Sequence, residues 1–358
     1  MRTIAGSLLA AAVLACLTGC ANLGYYWQSA SGHLKMMTAA RPVDAWLADS
    51  DAPQRLKDRL ALSQRIRAFS VSELGLPENA SYRSYADLRR NAVVWNVVAA
   101  PEFSLTLKTW CFPVAGCVGY RGYFDETQAR AEADRLTAQG LEANVNAVPA
   151  YSTLGWLNWA GGDPLLNTFI HYPEGELARL IFHELAHQVL YARDDTMFNE
   201  SFATAVERLG SSRWLATQAP EAVRAENAES DLRRSQFRTL TQMTRLRLKA
   251  IYESSEVAAD PTETRPARKN AAMTEFRAQY AQLRSRWGGD AARYRGYDLW
   301  VARANNAALG AQAAYDELVP GFEALFLREG GDWPKFYDAA RRLAALSKAE
   351  RRLQLLSF

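Results

Sequence analysis

The chain has 358 residues, 42 Lys+Arg against 39 Asp+Glu, and a formal net charge of +3. With 49% hydrophobic and 23% charged residues it is a packed globular protein, which excludes a disordered, collagen-like or fibrous chain. So small a charge excess gives no basis for nucleic acid as a partner, while the four Cys and four His are few enough for each position to be informative.

Residues 1–19 read as a signal segment. Arg2 supplies the positive start, and Ile4 to Leu17 are almost wholly apolar, a run too short for the roughly 20 residues of a membrane span. The run ends Leu17-Thr18-Gly19-Cys20, which resembles the lipobox of bacterial lipoproteins. The resemblance implies cleavage before Cys20, lipidation of Cys20 and attachment to a membrane through that lipid. Ala21, rather than Asp, follows the Cys, so the expected address is the outer membrane, facing the periplasm.

Residues 20–90 read as an N-terminal helical segment. Leu56, Leu60, Ile66 and Phe69 follow a helical period, and Pro42 and Pro53 stand at expected helix starts. From Asn91 the pattern becomes that of strands. Ala92–Val98 is rich in β-branched residues, Cys117–Phe124 carries Val118, Tyr120 and Tyr123, and Leu141–Val148 alternates apolar and polar. Asp125 is placed to cap a helix that Gly140 stops. Asn167–His171 is a short strand candidate. Cys111 and Cys117 flank turn residues, and an exported chain meets an oxidising compartment, so the two are expected to form a disulfide.

After Pro173 the chain reads as helical: 176–191, 198–209, 219–256, 262–287, 312–328 and 333–356. The fold class expected is α+β and mostly helical, with a small mixed β-sheet packed on the 176–191 helix. The α+β part spans 91–215 and a helical C-terminal region spans 216–358. The Arg-rich C-terminal helices read as solvated faces.

The sharpest chemical signal is His183-Glu184-Leu185-Ala186-His187. Residues four apart share a helix face, so both imidazoles can bind one ion, and Glu184 then faces the water on it as a general base. A catalytic zinc takes three protein ligands. His33 and His171 lie poorly for the third place. Glu200, in Asn199-Glu200-Ser201-Phe202-Ala203, is the better candidate. Glu207, two turns further along the same face, either competes for that place or orients a histidine ligand.

His-Glu-Leu-Ala-His-Gln followed by Asn-Glu-Ser-Phe-Ala resembles the gluzincin metallopeptidases, and in particular the aminopeptidase N type with its HELAHQ and NEGFA motifs. The twelve residues between His187 and Glu200 are fewer than in that group, and its Gly-Ala-Met-Glu-Asn substrate motif is missing. The mature chain is more similar to the bacterial predicted-aminopeptidase lipoproteins. Trp110–Cys117, Tyr120–Phe124, Tyr151–Trp156 and Gly330–Trp333 carry that likeness. The resemblance implies a peptidase acting on a peptide substrate, with one zinc ion on His183, His187 and Glu200 and with Glu184 as base. An oxyanion donor is also needed; Tyr120 and Tyr151 are candidates because they belong to the sheet region. Asn167–Ile170 is a candidate edge for an extended peptide. A metallo-endopeptidase of the envelope and a non-catalytic zinc-binding envelope scaffold are the alternatives that fit the same residues.

Overall fold

Prolines do much of the punctuation. Pro42, Pro53, Pro173 and Pro220 each occupy the residue just before a helix, where a missing N–H costs nothing. The computed structural model describes residues 23–112, 116–153, 161–254, 264–288 and 291–358. The expected signal segment and Cys20 lie outside these, as do the facing ends of the expected 219–256 and 262–287 helices.

The chain runs through helix α1 (23–39), β1 (Arg41–Pro42), α2 (Val43–Ala48), α3 (Gln54–Ser72), β2 (Ser84–Ala86), β3 (Val94–Pro101), β4 (Trp110–Phe112), β5 (Gly116–Val118), β6 (Arg121–Tyr123), α4 (Glu126–Thr137), β7 (Leu141–Val148) and β8 (Leu165–Leu166). It continues as α5 (Glu174–Ala186), α6 (Thr196–Gln218), α7 (Glu221–Glu253), α8 (Thr264–Arg286), α9 (Arg295–Arg303), α10 (Asn306–Ala313), α11 (Val319–Arg328), α12 (Trp333–Ala344) and α13 (Lys348–Leu356). The fold is mostly helical α+β, as the pattern implies. None of the described helices is long and apolar enough to cross a membrane.

Among the described residues the strands form three small sheets rather than one. β3 lies between β6 and β7, antiparallel to both, with Val94 opposite Val148 and Pro101 opposite Leu141. Ala129, Ala133 and Leu136 of α4 cover one face of this sheet, and Ala307 of α10 packs against Val98 and Ala100 on the other. Asp125 caps α4 as expected, accepting from Gln128 N at 2.9 Å. β2 pairs parallel with β8 and antiparallel with β1, so the N-terminal segment is not purely helical. β4 and β5 make a hairpin in which Cys111 faces Cys117, and a disulfide joins them.

Several boundaries differ from the periodicity. Cys117–Phe124 is not one strand: it breaks at Gly119-Tyr120, and its halves pair in different sheets. Asn167–His171 is a turn following β8, not a strand. The Asn167 side chain accepts from Leu88 N (2.8 Å) and donates to Arg90 O (2.9 Å), so it closes a loop instead of extending a ladder. The proposed peptide-pairing edge there is thus absent. The 176–191 helix ends at Ala186, and the 312–328 segment starts its helix at Val319, beside Pro320, which cannot continue a helix from before it. The 333–356 segment splits at Ser347, where a capping box with Glu350 starts α13.

The largest core surrounds α5. Leu177, Ile181, Phe182 and Leu185 are fully buried with Leu60 and Ile66 of α3, Phe198 and Phe202 of α6, and Phe322 and Phe336 of the C-terminal helices. Phe182 stacks on Phe69, which meets Trp214 edge-on at 5.1 Å. Burying a side chain of this size stabilises the fold by about 1.5–3 kcal/mol. The apolar rows of α5 thus seat the helix, leaving the Arg179–His183 row to carry polar chemistry.

Candidate metal centre

The connection from α5 to α6 is short and pinned on every side. Asn199 donates to Ala192 O and accepts from Ala192 N, both at 2.8 Å, and so closes the loop onto the start of α6. Asp195 caps α6 by accepting from Phe198 N and is paired with the buried Arg351 at 3.1 Å. Asp194, at φ 65°, accepts from Cys117 N at 2.6 Å. Gly116 approaches so closely that a Cβ there would lie 2.4 Å from Asp194 Oδ1. The disulfide hairpin therefore rests on the loop that folds α6 back against α5.

This folding places Glu200 opposite the two histidines. His183 Nε2 lies 3.2 Å from His187 Nε2 and 3.3 Å from Glu200 Oε2, and His187 Nε2 lies 3.7 Å from Glu200 Oε2. Zinc bonds of about 2.0–2.2 Å in a tetrahedron put ligand atoms about 3.3–3.6 Å apart. The observed triangle matches that edge, and the buried group could hold a metal ion. Two imidazoles and a carboxylate are a donor set zinc accepts, and three ligands leave a fourth position for water or substrate. His33 and His171 take no part in the group; His33 instead packs against Tyr151 at 5.8 Å.

Glu207 is not in the triangle. Its Oε2 lies 2.9 Å from His183 Nδ1, the ring nitrogen that does not face Glu200. A proton held on Nδ1 leaves Nε2 free as a donor to a metal. Arg179, one turn before His183 on α5, stands 3.5 Å from Glu207 and donates to Asp231 of α7 at 2.7 Å. His187 Nδ1 is buried without a hydrogen-bond partner among the described residues.

The charges of these groups answer to their neighbours. Burial opposes the charge on His183, but hydrogen bonds with Glu200 and Glu207 and the negative field of Glu207 and Glu184 hold its pKa well above the ordinary value. Burial pushes His187 down to about 4, against the pull of Glu200. Burial pushes Glu184 up to about 7, and the carboxylates of Glu200, Asp163 and Glu207 add to that rise while His183 opposes it. Burial works against ionisation of Glu200 and Glu207 as well, but their histidine partners keep both below the usual carboxylate range. Three carboxylates converge on two imidazoles, a field that favours a bound cation.

The tyrosines sort differently. Burial, then Glu200, raises the pKa of Tyr120, which places its hydroxyl in the field of the triangle. Tyr151 packs on Phe124 and His33 and feels Asp163 instead, so the two sheet-region candidates do not share a location. Tyr315 has a position that periodicity does not reveal. Its ring lies stacked 6.2 Å from that of His183, and its hydroxyl hydrogen-bonds Glu200. Ser201 holds it there by donating to Ala314 O at 2.9 Å and accepting from Leu318 N at 3.4 Å. Arg179 had a readable signal, being four residues before His183; Tyr315 had none, since it lies in the break between α10 and α11.

A family model described as Aminopep, "Putative aminopeptidase", matches residues 24–355. No curated protein and no solved structure matches the chain.

Proposed function

The chain belongs to the Aminopep family, and on that premise we propose that it is a zinc-dependent aminopeptidase held at the cell envelope by a lipid on Cys20. The observation that carries the reading is the His183–His187–Glu200 triangle, with Glu184 on the helix that supplies both histidines. The name of the family supports a hydrolase of peptides, and the ligand chemistry supports zinc. The sequence around Cys20 supports the anchor, with the protein facing the periplasm from the outer membrane.

Zinc, when bound, supplies a Lewis acid for the peptide carbonyl and lowers the pKa of water toward neutrality. His183, His187 and Glu200 would hold it. Glu184 takes a proton from the attacking water on its carboxylate and delivers it to the amine nitrogen of the leaving group. Glu207 holds the Nδ1 proton of His183, and Arg179 holds Glu207. Tyr315 orients Glu200 through its hydroxyl. Tyr120 is the oxyanion-donor candidate that the field of Glu200 supports, whereas Tyr151 has no such support. A structural zinc closes all four positions with Cys and His; a mixed set of three favours catalysis over a scaffold role.

The test is cleavage of a peptide library by the full chain, with free and with acetylated amino termini, before and after chelation. Removal of N-terminal residues from free peptides only, lost on chelation and restored by zinc, is expected. Equal cleavage of acetylated peptides at internal bonds would replace the reading with an endopeptidase. Bound zinc with no chelator-sensitive cleavage would replace it with a scaffold.

A further inference from the structure

Helix α1 presents an apolar face that the rest of the described structure leaves open. Leu23, Trp27 and Leu34 are 70%, 75% and 62% exposed, and Tyr26 beside them is 44% exposed. With Ala30 they recur at i, i+4, i+7 and i+11, one stripe along the helix. Residues 23–39 contain a single Lys, Lys35, and no carboxylate, so nothing on the helix repels an anionic surface.

The inner face cannot roll over to hide the stripe. Tyr25 stacks on Phe112 at 5.7 Å and meets Tyr123 edge-on at 5.5 Å. Gln28 accepts from Phe124 N at 2.9 Å. Gly32 lies so near Phe124 that a Cβ would fall 2.2 Å from its Cγ. These contacts fix α1 on the β6 end of the central sheet with Trp27 outward.

The covalent geometry then decides what faces the stripe. Only Ala21 and Asn22 separate Cys20 from Leu23. Three residue steps span at most about 10 Å. A lipid on Cys20 therefore brings the start of α1 to the headgroup layer, where aromatic residues and the apolar face of a surface-lying helix are most stable. We propose that the Leu23–Trp27–Leu34 face of α1 lies in the headgroup–acyl boundary of the membrane that receives the Cys20 lipid, and so fixes how the molecule stands on it. This rests on the lipid-anchor reading. It orients the sheet and α5–α6 pair relative to the bilayer.

The test uses the full lipidated chain on vesicles of phosphatidylethanolamine and phosphatidylglycerol carrying brominated acyl chains, against Trp27→Phe. Mass spectrometry of the purified protein reports separately whether Cys20 is acylated. Bromolipid quenching of a tryptophan component that Trp27→Phe removes, with unchanged circular dichroism, is the expected result. Acylated protein bound to the vesicles with no Trp27-dependent quenching overturns the proposal and leaves the anchor standing. If Cys20 carries no lipid, the anchor reading fails; the same quenching by the unlipidated chain would then keep the α1 face as a membrane contact, and its absence would overturn both. A dimer in solution that depends on Trp27, without quenching, assigns the face to a second copy and overturns the proposal.

Discussion

Glu207 Oε2 and His183 Nδ1 stand 2.9 Å apart, so a carboxylate from α6 grips the ring of a histidine on α5 from the side away from Glu200. The pair fixes which nitrogen of His183 faces the ligand triangle. Glu207→Ala removes that hold and leaves the three candidate ligands in place. Zinc affinity is expected to fall about 10–100-fold, measured by competition with a chromogenic chelator. Glu207→Gln, whose amide oxygen can still accept from Nδ1, should recover part of the loss. Unchanged affinity in the alanine variant would remove Glu207 from the metal centre.

Asn199 tests the connection rather than the ligands. Its amide satisfies both the N–H and the C=O of Ala192, a residue 3% exposed. Asn199→Ala leaves both groups buried and unpaired, which costs about 1–3 kcal/mol each. Urea unfolding should show a loss of about 2–6 kcal/mol, and zinc should bind more weakly because Glu200 follows directly in sequence. Full stability in this variant would mean that the loop is held by Asp194 and Asp195 alone.

Asp163 gives a pH test away from the ligands. It is 1% exposed, and burial raises its pKa from 3.8 to about 6, against bonds from Thr153 and Ser152. A folded pKa above the unfolded one means that the folded state binds the proton more tightly. The neutral form costs nothing below pH 4, and the penalty of ionising it in the fold grows as pH rises from about 4 to 6. Over that range the penalty reaches about 3 kcal/mol. Asp163→Asn should therefore gain about that much stability relative to wild type between pH 4 and pH 8, read from urea titrations at both. A constant difference across this range would show that Asp163 does not change protonation with folding.

Much of the centre could be read from the sequence because its chemistry is local. His183, Glu184 and His187 fall within five residues of one helix, and Glu200 and Glu207 share a face of the next. Cys111 and Cys117 are close enough that their pairing needed only a turn. What escaped depends on contacts between distant segments. Tyr315 reaches Glu200 because Ser201 pins a turn more than a hundred residues away. Strand pairing of Ser84–Ala86 with Leu165–Leu166 is too short to leave a periodic pattern. Asn167 looked like strand because Phe169 and Ile170 follow it, yet those two are buried in a turn. The helix ends at Val319 and Ser347 were written in Pro320, Ser347 and Glu350, but the apolar period ran across them.

In the proposed reaction Glu184 moves the proton while the triangle holds the metal. Glu184→Gln is close to isosteric and leaves His183, His187 and Glu200 untouched. Zinc stoichiometry and peptide hydrolysis measured on the same preparation separate the two roles. A single zinc per chain is expected in the variant, as in the parent, with hydrolysis down by about a hundredfold or more; full hydrolysis by zinc-loaded Glu184→Gln would contradict the role of Glu184 as base.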